Sequence, residues 1–115
     1  AYQFAIEEHG RLVGSIGMGV KEDACIGRIG YWCARHARGR GITTQALRIV
    51  CRYTLEDLTL MRLELITDPE NLASQHVAEK VGFQREGVLR SHMTHPDGRR
   101  RDTVIFSLLP GELVY

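Results

Sequence analysis

No run of apolar residues in this sequence approaches the roughly 18 that a membrane-spanning helix needs, and its opening, AYQFAIEEHG, lacks both parts of a secretory signal peptide. Cysteine is scarce. The three cysteines are odd in number and widely spaced, which argues against a disulfide framework and favours a reducing, cytoplasmic compartment. The net charge is only +1, so the chain also lacks the strongly basic character of a general nucleic-acid-binding domain.

Motifs for metal and nucleotide binding are missing as well. The three cysteines and five histidines show neither C-x2-C nor H-x3-H spacing, so we expect no zinc site. The sequence has no G-x4-G-K-[ST], and its GSIGMG stretch neither matches G-x-G-x-x-G nor precedes a predicted helix. Nucleotide hydrolysis and dinucleotide binding are therefore disfavoured.

What the chain does have is the composition of a globular protein. With 115 residues, 43% hydrophobic and 25% charged, it is long enough for one hydrophobic core and too short for two. No internal repeat, linker or low-complexity tract divides it. We therefore predict a single domain over residues 1–115.

Hydrophobic periodicity predicts an antiparallel meander followed by alternating helices and strands. Asn71 is the predicted N-cap of the second helix and Gly82 its left-handed stop, and Asp97-Gly98 is a strong hairpin signal. The predicted elements are strands over residues 2–6, 11–20 and 25–32, a helix over 43–58, a strand over 62–67, a helix over 72–81, and strands over 83–95 and 102–109.

The order of elements is thus β-β-β-α-β-α-β-β. A long helix between two strands is a crossover unit, whose strands should lie parallel. The predicted fold class is α/β (α+β): a mixed, mostly antiparallel sheet with a central parallel pair and flanking helices.

One stretch suggests a binding function, namely R-H-A-R-G-R-G-I-T over residues 35–43, before the first helix. Gly39 and Gly41 allow a tight loop whose N–H groups converge, and the helix N-terminus adds partial positive charge. Arg38 and Arg40 can add charge-assisted contacts. The loop therefore fits a phosphate or pyrophosphate. The alternative is a basic turn that only caps the helix.

This loop and the order of elements resemble the GNAT superfamily of acyl-CoA-dependent N-acyltransferases, whose loop pattern is [Q/R]-x-x-G-x-[G/A]. Arg38 matches the first position and Gly41 the central glycine, whereas Thr43 departs from the final Gly/Ala. The segments IGYW, TTQAL, NLASQHVAEKVGF and EGVLR resemble the RimJ/RimL-like branch, which acetylates the N-termini of ribosomal proteins. The family's usual first strand and first two helices, about sixty residues, have no counterpart here, and the chain lacks an initiator Met, so we expect residues upstream of Ala1.

The resemblance implies that acetyl-CoA binds as a co-substrate, without a metal, in a gap between splayed parallel strands. Backbone groups of residues 32–34 would pair with its pantetheine arm, and residues 38–43 would hold the pyrophosphate. An N-x-x-S pair at the start of the second helix would reach the pantetheine and its sulfur. The implied contact residues are Trp32, Cys33, Ala34, Arg38, Gly39, Arg40, Gly41, Ile42, Thr43, Asn71 and Ser74.

Many family members protonate the departing thiolate with a tyrosine of the second helix, but all four tyrosines of this sequence lie outside that helix. Ser74 is the implied replacement. The alternative is that Ser74 only bonds the backbone of its own helix. Several residues are conceivable general bases, and the sequence does not choose between them: Glu8, Glu64, Asp68 and His92.

The favoured function is transfer of the acetyl group of acetyl-CoA to a primary amine, on a peptide or ribosomal-protein N-terminus or a small molecule. One alternative is a catalytically silent acyl-CoA-binding or sensor domain of the same fold. A small RNA-binding module that uses RGRG and the RRR of residues 99–101 is disfavoured by the near-neutral charge. The resemblance leaves open whether the protein is a homodimer.

Overall fold

In the computed structural model, the elements follow the order predicted from the periodicity. The structure describes residues 2–34, 36, 38–39 and 41–114. No helix in this part of the chain is long and apolar enough to cross a membrane. The elements are strands β1 (Tyr2–Glu8), β2 (Arg11–Lys21) and β3 (Ile26–Cys33), helix α1 (Ile42–Arg52), strand β4 (Arg62–Thr67), helix α2 (Leu72–Val81), and strands β5 (Gln84–Thr94) and β6 (Arg100–Leu108).

The six strands form one sheet in the order β1-β2-β3-β4-β6-β5. The pair β3–β4 is parallel, because α1 carries the chain back to the starting edge between them. All other neighbours are antiparallel. The predicted mixed sheet with one central parallel pair is therefore confirmed.

One face of the sheet is apolar and the other polar. Met18, Ile29, Leu65 and Phe106 oppose one another across four strands and are almost fully buried. In the neighbouring row, Arg28 and Glu64 are paired on the opposite face by an ion pair of 2.8 Å. Buried residues of both helices join the same core cluster as the apolar row. Both helices therefore pack on the apolar face, as expected for an antiparallel sheet with one polar side.

The first helix departs from the prediction at its end. α1 stops at Arg52, and a π-helical turn, Tyr53–Asp57, follows where one helix over residues 43–58 was expected. In this turn the Leu58 N–H donates to the Tyr53 carbonyl, five residues back. The Thr54 hydroxyl also donates to the Cys51 carbonyl, which competes with the regular ladder. Hydrophobic spacing does not distinguish these two helical forms.

The local turn signals are confirmed. The Asn71 side chain accepts a hydrogen bond from the Ser74 N–H and caps α2, and Gly82 ends this helix at a φ of +113°. Gly98 lies at φ +91° in the β5–β6 hairpin, where the Asp97 carboxylate accepts from the Arg99 N–H. Each of these residues supplies a backbone conformation or a hydrogen bond that its turn requires.

Gly14 in β2 is required for a close approach between strands. A Cβ added there would lie 2.6 Å from the Trp32 carbonyl oxygen. We therefore expect Gly14→Ala to lower the free energy of unfolding by roughly 1–3 kcal/mol in urea denaturation, because backbone must move. Gly19→Ala on the same strand is the control. It meets nothing within 4 Å, so it should leave stability unchanged or slightly raised. Equal effects would show that the contact does not restrict residue 14.

Candidate functional site

A gap opens between the carboxyl ends of β3 and β4. Their parallel ladder joins residues 26–29 to residues 62–65 and then ends. Beyond this point β3 stays paired with β2 up to Cys33, and β4 stays paired with β6 up to Thr67. The sheet therefore divides into two halves that diverge. The splayed parallel pair that the resemblance implies is present.

A cleft of about 480 Å³ is lined by β3, the following turn, α1 and α2. Ala34 is not part of its lining, and Arg40 lies outside the described residues. The sequence reasoning did not include Tyr31, His76 and Lys80, which also line the cleft. The predicted contact residues that do line it are Trp32, Cys33, Arg38, Gly39, Gly41, Ile42, Thr43, Asn71 and Ser74.

The glycine loop presents an open, polar surface to the cleft. Gly39 and Gly41 adopt φ values of +79° and +75°, and Gly41 is the N-cap of α1 with no side-chain capping bond. A Cβ on either glycine would meet none of the described residues within 4 Å, so these residues leave the space beside both glycines open. The first-turn N–H groups and the helix dipole favour an anion at this point.

Arg38 makes a contact that the sequence did not predict: its Nε donates to the Cys33 carbonyl at 2.9 Å. This hydrogen bond ties the turn to the end of β3. Arg38 therefore shapes the loop by fixing its distance from the strand. Its expected contact with phosphate stays a prediction.

The strand register corrects the backbone roles of Trp32 and Ala34. Successive residues of a strand direct their N–H and C=O groups to opposite neighbours. The Ala34 N–H donates to the Val13 carbonyl of β2, and the Cys25 carbonyl accepts from Met61 beside β4. Even-numbered residues of β3 therefore face β2. The backbone groups of Tyr31 and Cys33 face the gap instead. Trp32 lines the cleft, but its backbone N–H and C=O point to β2.

The N-terminus of α2 forms the opposite wall and brings Ser74 next to Tyr31. The two hydroxyl oxygens, Tyr31 Oη and Ser74 Oγ, lie 2.9 Å apart, and Tyr31 Oη also donates to the Ser74 carbonyl at 3.3 Å. Burial raises the pKa of Tyr31, and the hydrogen bond with Ser74 offsets this only in part. The phenol therefore stays protonated at neutral pH.

Tyr31 is the principal residue that the sequence reasoning missed. Its side chain shares the apolar face with Ile29 and Cys33, which strand alternation predicts. Alternation does not tell which residue of α2 lies opposite, since 43 positions separate Tyr31 from Ser74. The structure thus brings a tyrosine to the cleft from β3, although α2 carries none.

The described residues lining the cleft include the cations Arg38 and Lys80 and no carboxylate. A smaller groove of about 310 Å³ adjoins it between α1 and α2, where Lys80 and Arg48 lie. Arg48 donates to the carbonyls of Val114 and Lys80 and so fastens the C-terminal segment to both helices. The charge along this side of the molecule suits an anionic ligand longer than one phosphate.

Glu64 is held as a charged, structural group. It accepts hydrogen bonds from Arg28 and Arg62, at 2.8 and 2.9 Å. Burial acts to raise its pKa, but these bonds outweigh burial and leave the pKa below its usual value. A carboxylate with a lowered pKa is a weaker base, so among the four conceivable general bases Glu64 is disfavoured.

Two other conceivable bases also make local contacts. Asp68 accepts from the Glu70 N–H at 2.9 Å and so closes the turn before α2. The His92 Nδ1 lies 3.0 Å from the hydroxyl of buried Thr103. Among the described residues, no three His, Cys, Asp or Glu side chains converge as metal ligands.

With this geometry established, comparison with known proteins defines the class of protein. Residues 1–84 match the family described as "Acetyltransferase (GNAT) domain". The chain belongs to this family.

Solved and curated relatives agree with the fold. Mycobacterium smegmatis RimJ in complex with CoA-disulfide superimposes with a TM-score of 0.90 at 34% identity, covering 98% of this chain and 55% of that one. The "Putative ribosomal N-acetyltransferase YdaF" of Bacillus subtilis (strain 168) is 38% identical over 84 residues, 73% of this chain and 45% of the relative. The spermidine N(1)-acetyltransferase of Escherichia coli (strain K12) is 34% identical over 67 residues, 58% of this chain and 36% of the relative. The chain thus spans between about a third and about half of these proteins.

The capping bond of Asn71 at the N-terminus of α2, which forms one wall of the cleft, can be tested by measuring stability. Asn71→Ala removes the acceptor for the Ser74 N–H, and we expect the free energy of unfolding to fall by ~1 kcal/mol in urea denaturation. Asn71→Asp keeps an acceptor oxygen at the N-cap and should remain close to wild type. If the alanine variant matched wild type, the capping bond would contribute no net stability.

Proposed function

We propose that this chain forms the acetyl-CoA site of a cytoplasmic N-acetyltransferase, which moves the acetyl group directly to a primary amine. The observation that carries this proposal is the single cleft that begins at an anion-binding glycine loop and extends along the splayed end of β3 to Ser74. A neighbour of the same fold that is solved with a CoA-disulfide supports the choice of ligand.

The phosphate end of the ligand is assigned to the loop and to the α1 N-terminus. The N–H groups after Gly41 offer donors to the pyrophosphate, and the absence of a Cβ at Gly39 and Gly41 leaves room for its oxygens. Thr43 lies in the first turn of α1, where its N–H is one of these donors. Lys80 adds positive charge from the α2 side.

The pantetheine arm is assigned to the gap beside β3. Tyr31 and Cys33 direct backbone groups there, so the arm takes the place of the missing strand partner. The Cys33 carbonyl already accepts from Arg38, which leaves the Cys33 N–H to polarise the thioester carbonyl. A backbone donor of this kind stabilises the oxyanion of the tetrahedral intermediate.

The amine nitrogen attacks the thioester carbon, and the C–S bond then breaks. The nitrogen loses one proton and the sulfur gains one, so the reaction is balanced without a metal or redox partner. Ser74 is placed to donate a hydrogen bond to the departing thiolate. Its hydroxyl lies on the cleft wall and bonds to Tyr31, which disfavours the alternative of a hydroxyl engaged only with its own helix.

For the acceptor we propose the amino terminus of a protein in preference to a polyamine. The choice is supported by the relatives: YdaF, named as a ribosomal N-acetyltransferase, matches 73% of this chain at 38% identity, against 58% at 34% identity for the spermidine acetyltransferase. The two acceptor types correspond to the names of YdaF and of the spermidine acetyltransferase among the relatives.

Gly41→Ala tests the loop. We expect acetyl-CoA affinity to fall at least tenfold by calorimetry, because a Cβ on this N-cap reaches into the phosphate site and φ +75° disfavours any side chain. Gly98→Ala is the matched control, since its φ of +91° imposes similar strain on a hairpin away from the cleft. It should bind like wild type. Unchanged binding by Gly41→Ala would place the phosphates elsewhere.

Turnover tests the reaction class. The full-length protein, acetyl-CoA and either a peptide with a free amino terminus or spermidine are mixed, and free CoA thiol is measured together with acetylated product. We expect stoichiometric thiol and acetyl-peptide, with spermidine poorer. Binding without turnover would favour the silent acyl-CoA-binding domain, and absence of binding would overturn the proposal altogether.

A further inference from the structure

Tyr31 makes a contact that the glycine loop and the family pattern do not explain. Its hydroxyl crosses from β3 to the first turn of α2 and contacts Ser74 twice, at Oγ and at the carbonyl. Both side chains line the cleft. We propose that Tyr31 is a positioning residue that orients the Ser74 hydroxyl toward the sulfur of CoA. This inference rests on the proposed function.

The count of protons supports this role. Each hydroxyl has one proton, and either oxygen can be the donor across the 2.9 Å contact. When an anionic sulfur lies beside Ser74, the Ser74 proton turns to the anion, and the single Tyr31 proton turns from the Ser74 carbonyl, at 3.3 Å, to the Ser74 Oγ, at 2.9 Å. A hydroxyl that accepts one hydrogen bond donates another more strongly. Without the phenol, the Ser74 oxygen would lose this donor.

The surroundings of Ser74 leave its hydroxyl available. The Asn71 side chain caps the Ser74 N–H. In the described part of the chain, the Ser74 Oγ bonds to the Tyr31 hydroxyl and not to the nearby carbonyls of Glu70 and Asn71, which accept from the N–H groups of Leu72 and Gln75. The serine is thus held by its backbone and aimed by Tyr31.

Tyr31 acts here without giving up its proton. Transfer of that proton through Ser74 to sulfur would leave a phenolate in a half-buried position, where burial raises the pKa. The proton that ends on sulfur is balanced by the one lost from the amine nitrogen. Tyr31 therefore contributes geometry and polarisation only.

The proposed hydrogen bond from Ser74 to the CoA sulfur can be measured without turnover, by comparing the affinities of CoA and of desulfo-CoA, which lacks the sulfur. A donor to sulfur favours the thiolate, so CoA affinity relative to desulfo-CoA should rise as the pH approaches and passes the pKa of the CoA thiol, an alkyl thiol that is a weaker acid than the cysteine side chain at about 8.5. For wild type we expect a rise of about three- to tenfold between about pH 7 and about pH 10, the equivalent of one hydrogen bond. Tyr31→Phe and Ser74→Ala should each abolish this rise.

Turnover gives a second, independent readout. Tyr31→Phe should lower kcat by about three- to tenfold with little change in the KM for acetyl-CoA. In a Ser74→Ala background the same change should have no further effect, because Tyr31 acts only through that hydroxyl. Tyr53→Phe is the control. Its ring packs edge-on against Phe4 at 6.2 Å and is not part of the cleft lining, so kcat should not change.

The outcomes separate the two proposals. If wild type fails to bind CoA, the proposed function is wrong. If wild type shows the pH-dependent preference for CoA and Tyr31→Phe retains it, the positioning role is overturned while the function stands. Phenylalanine keeps the ring, and thermal denaturation checks that the variant is folded. A loss of stability with equal affinity changes at every pH would assign Tyr31 a purely structural role.

Discussion

The site depends on the point at which the β3–β4 ladder ends. Parallel strands whose backbone groups stay paired leave no room for a ligand, and strands that never pair would not place the two halves of the sheet together. Here four residues of each strand pair and the next four residues of β3 do not. This limited pairing places the backbone of Tyr31 and Cys33 beside the cleft, between the glycine loop and the start of α2.

The polar groups divide between the two faces of the sheet. On the polar face, carboxylates are held by arginines: Arg62 binds both Glu64 and Glu86, and the bonds from Arg62 and Ser107 lower the pKa of Glu86 to about 2. The described lining of the cleft contains no carboxylate. Glu64 and Glu86 are thereby paired with arginines on the face of the sheet opposite the helices.

Much of the fold could be predicted because its signals are local. Strand and helix periods defined the order of elements, and the capping residues Asn71 and Gly82 marked the ends of α2 within a residue. The end of α1 was misjudged, because the π-helical turn after Arg52 spans only five residues, too few for its wider spacing to show in the apolar pattern. In the site, the loop could be predicted from Gly39 and Gly41, because glycine is the residue that adopts positive φ values without steric cost.

The sequence by itself determined the elements, their caps and the glycine loop, since these depend on neighbours within a few residues. Tertiary structure decided which groups meet. Arg38 binds the Cys33 carbonyl instead of extending freely, Ala34 bonds back to β2, and Tyr31 reaches Ser74 across 43 positions. The physical reason is that these contacts follow from strand register and from the placement of α2 on the sheet, which the packing of the whole core sets.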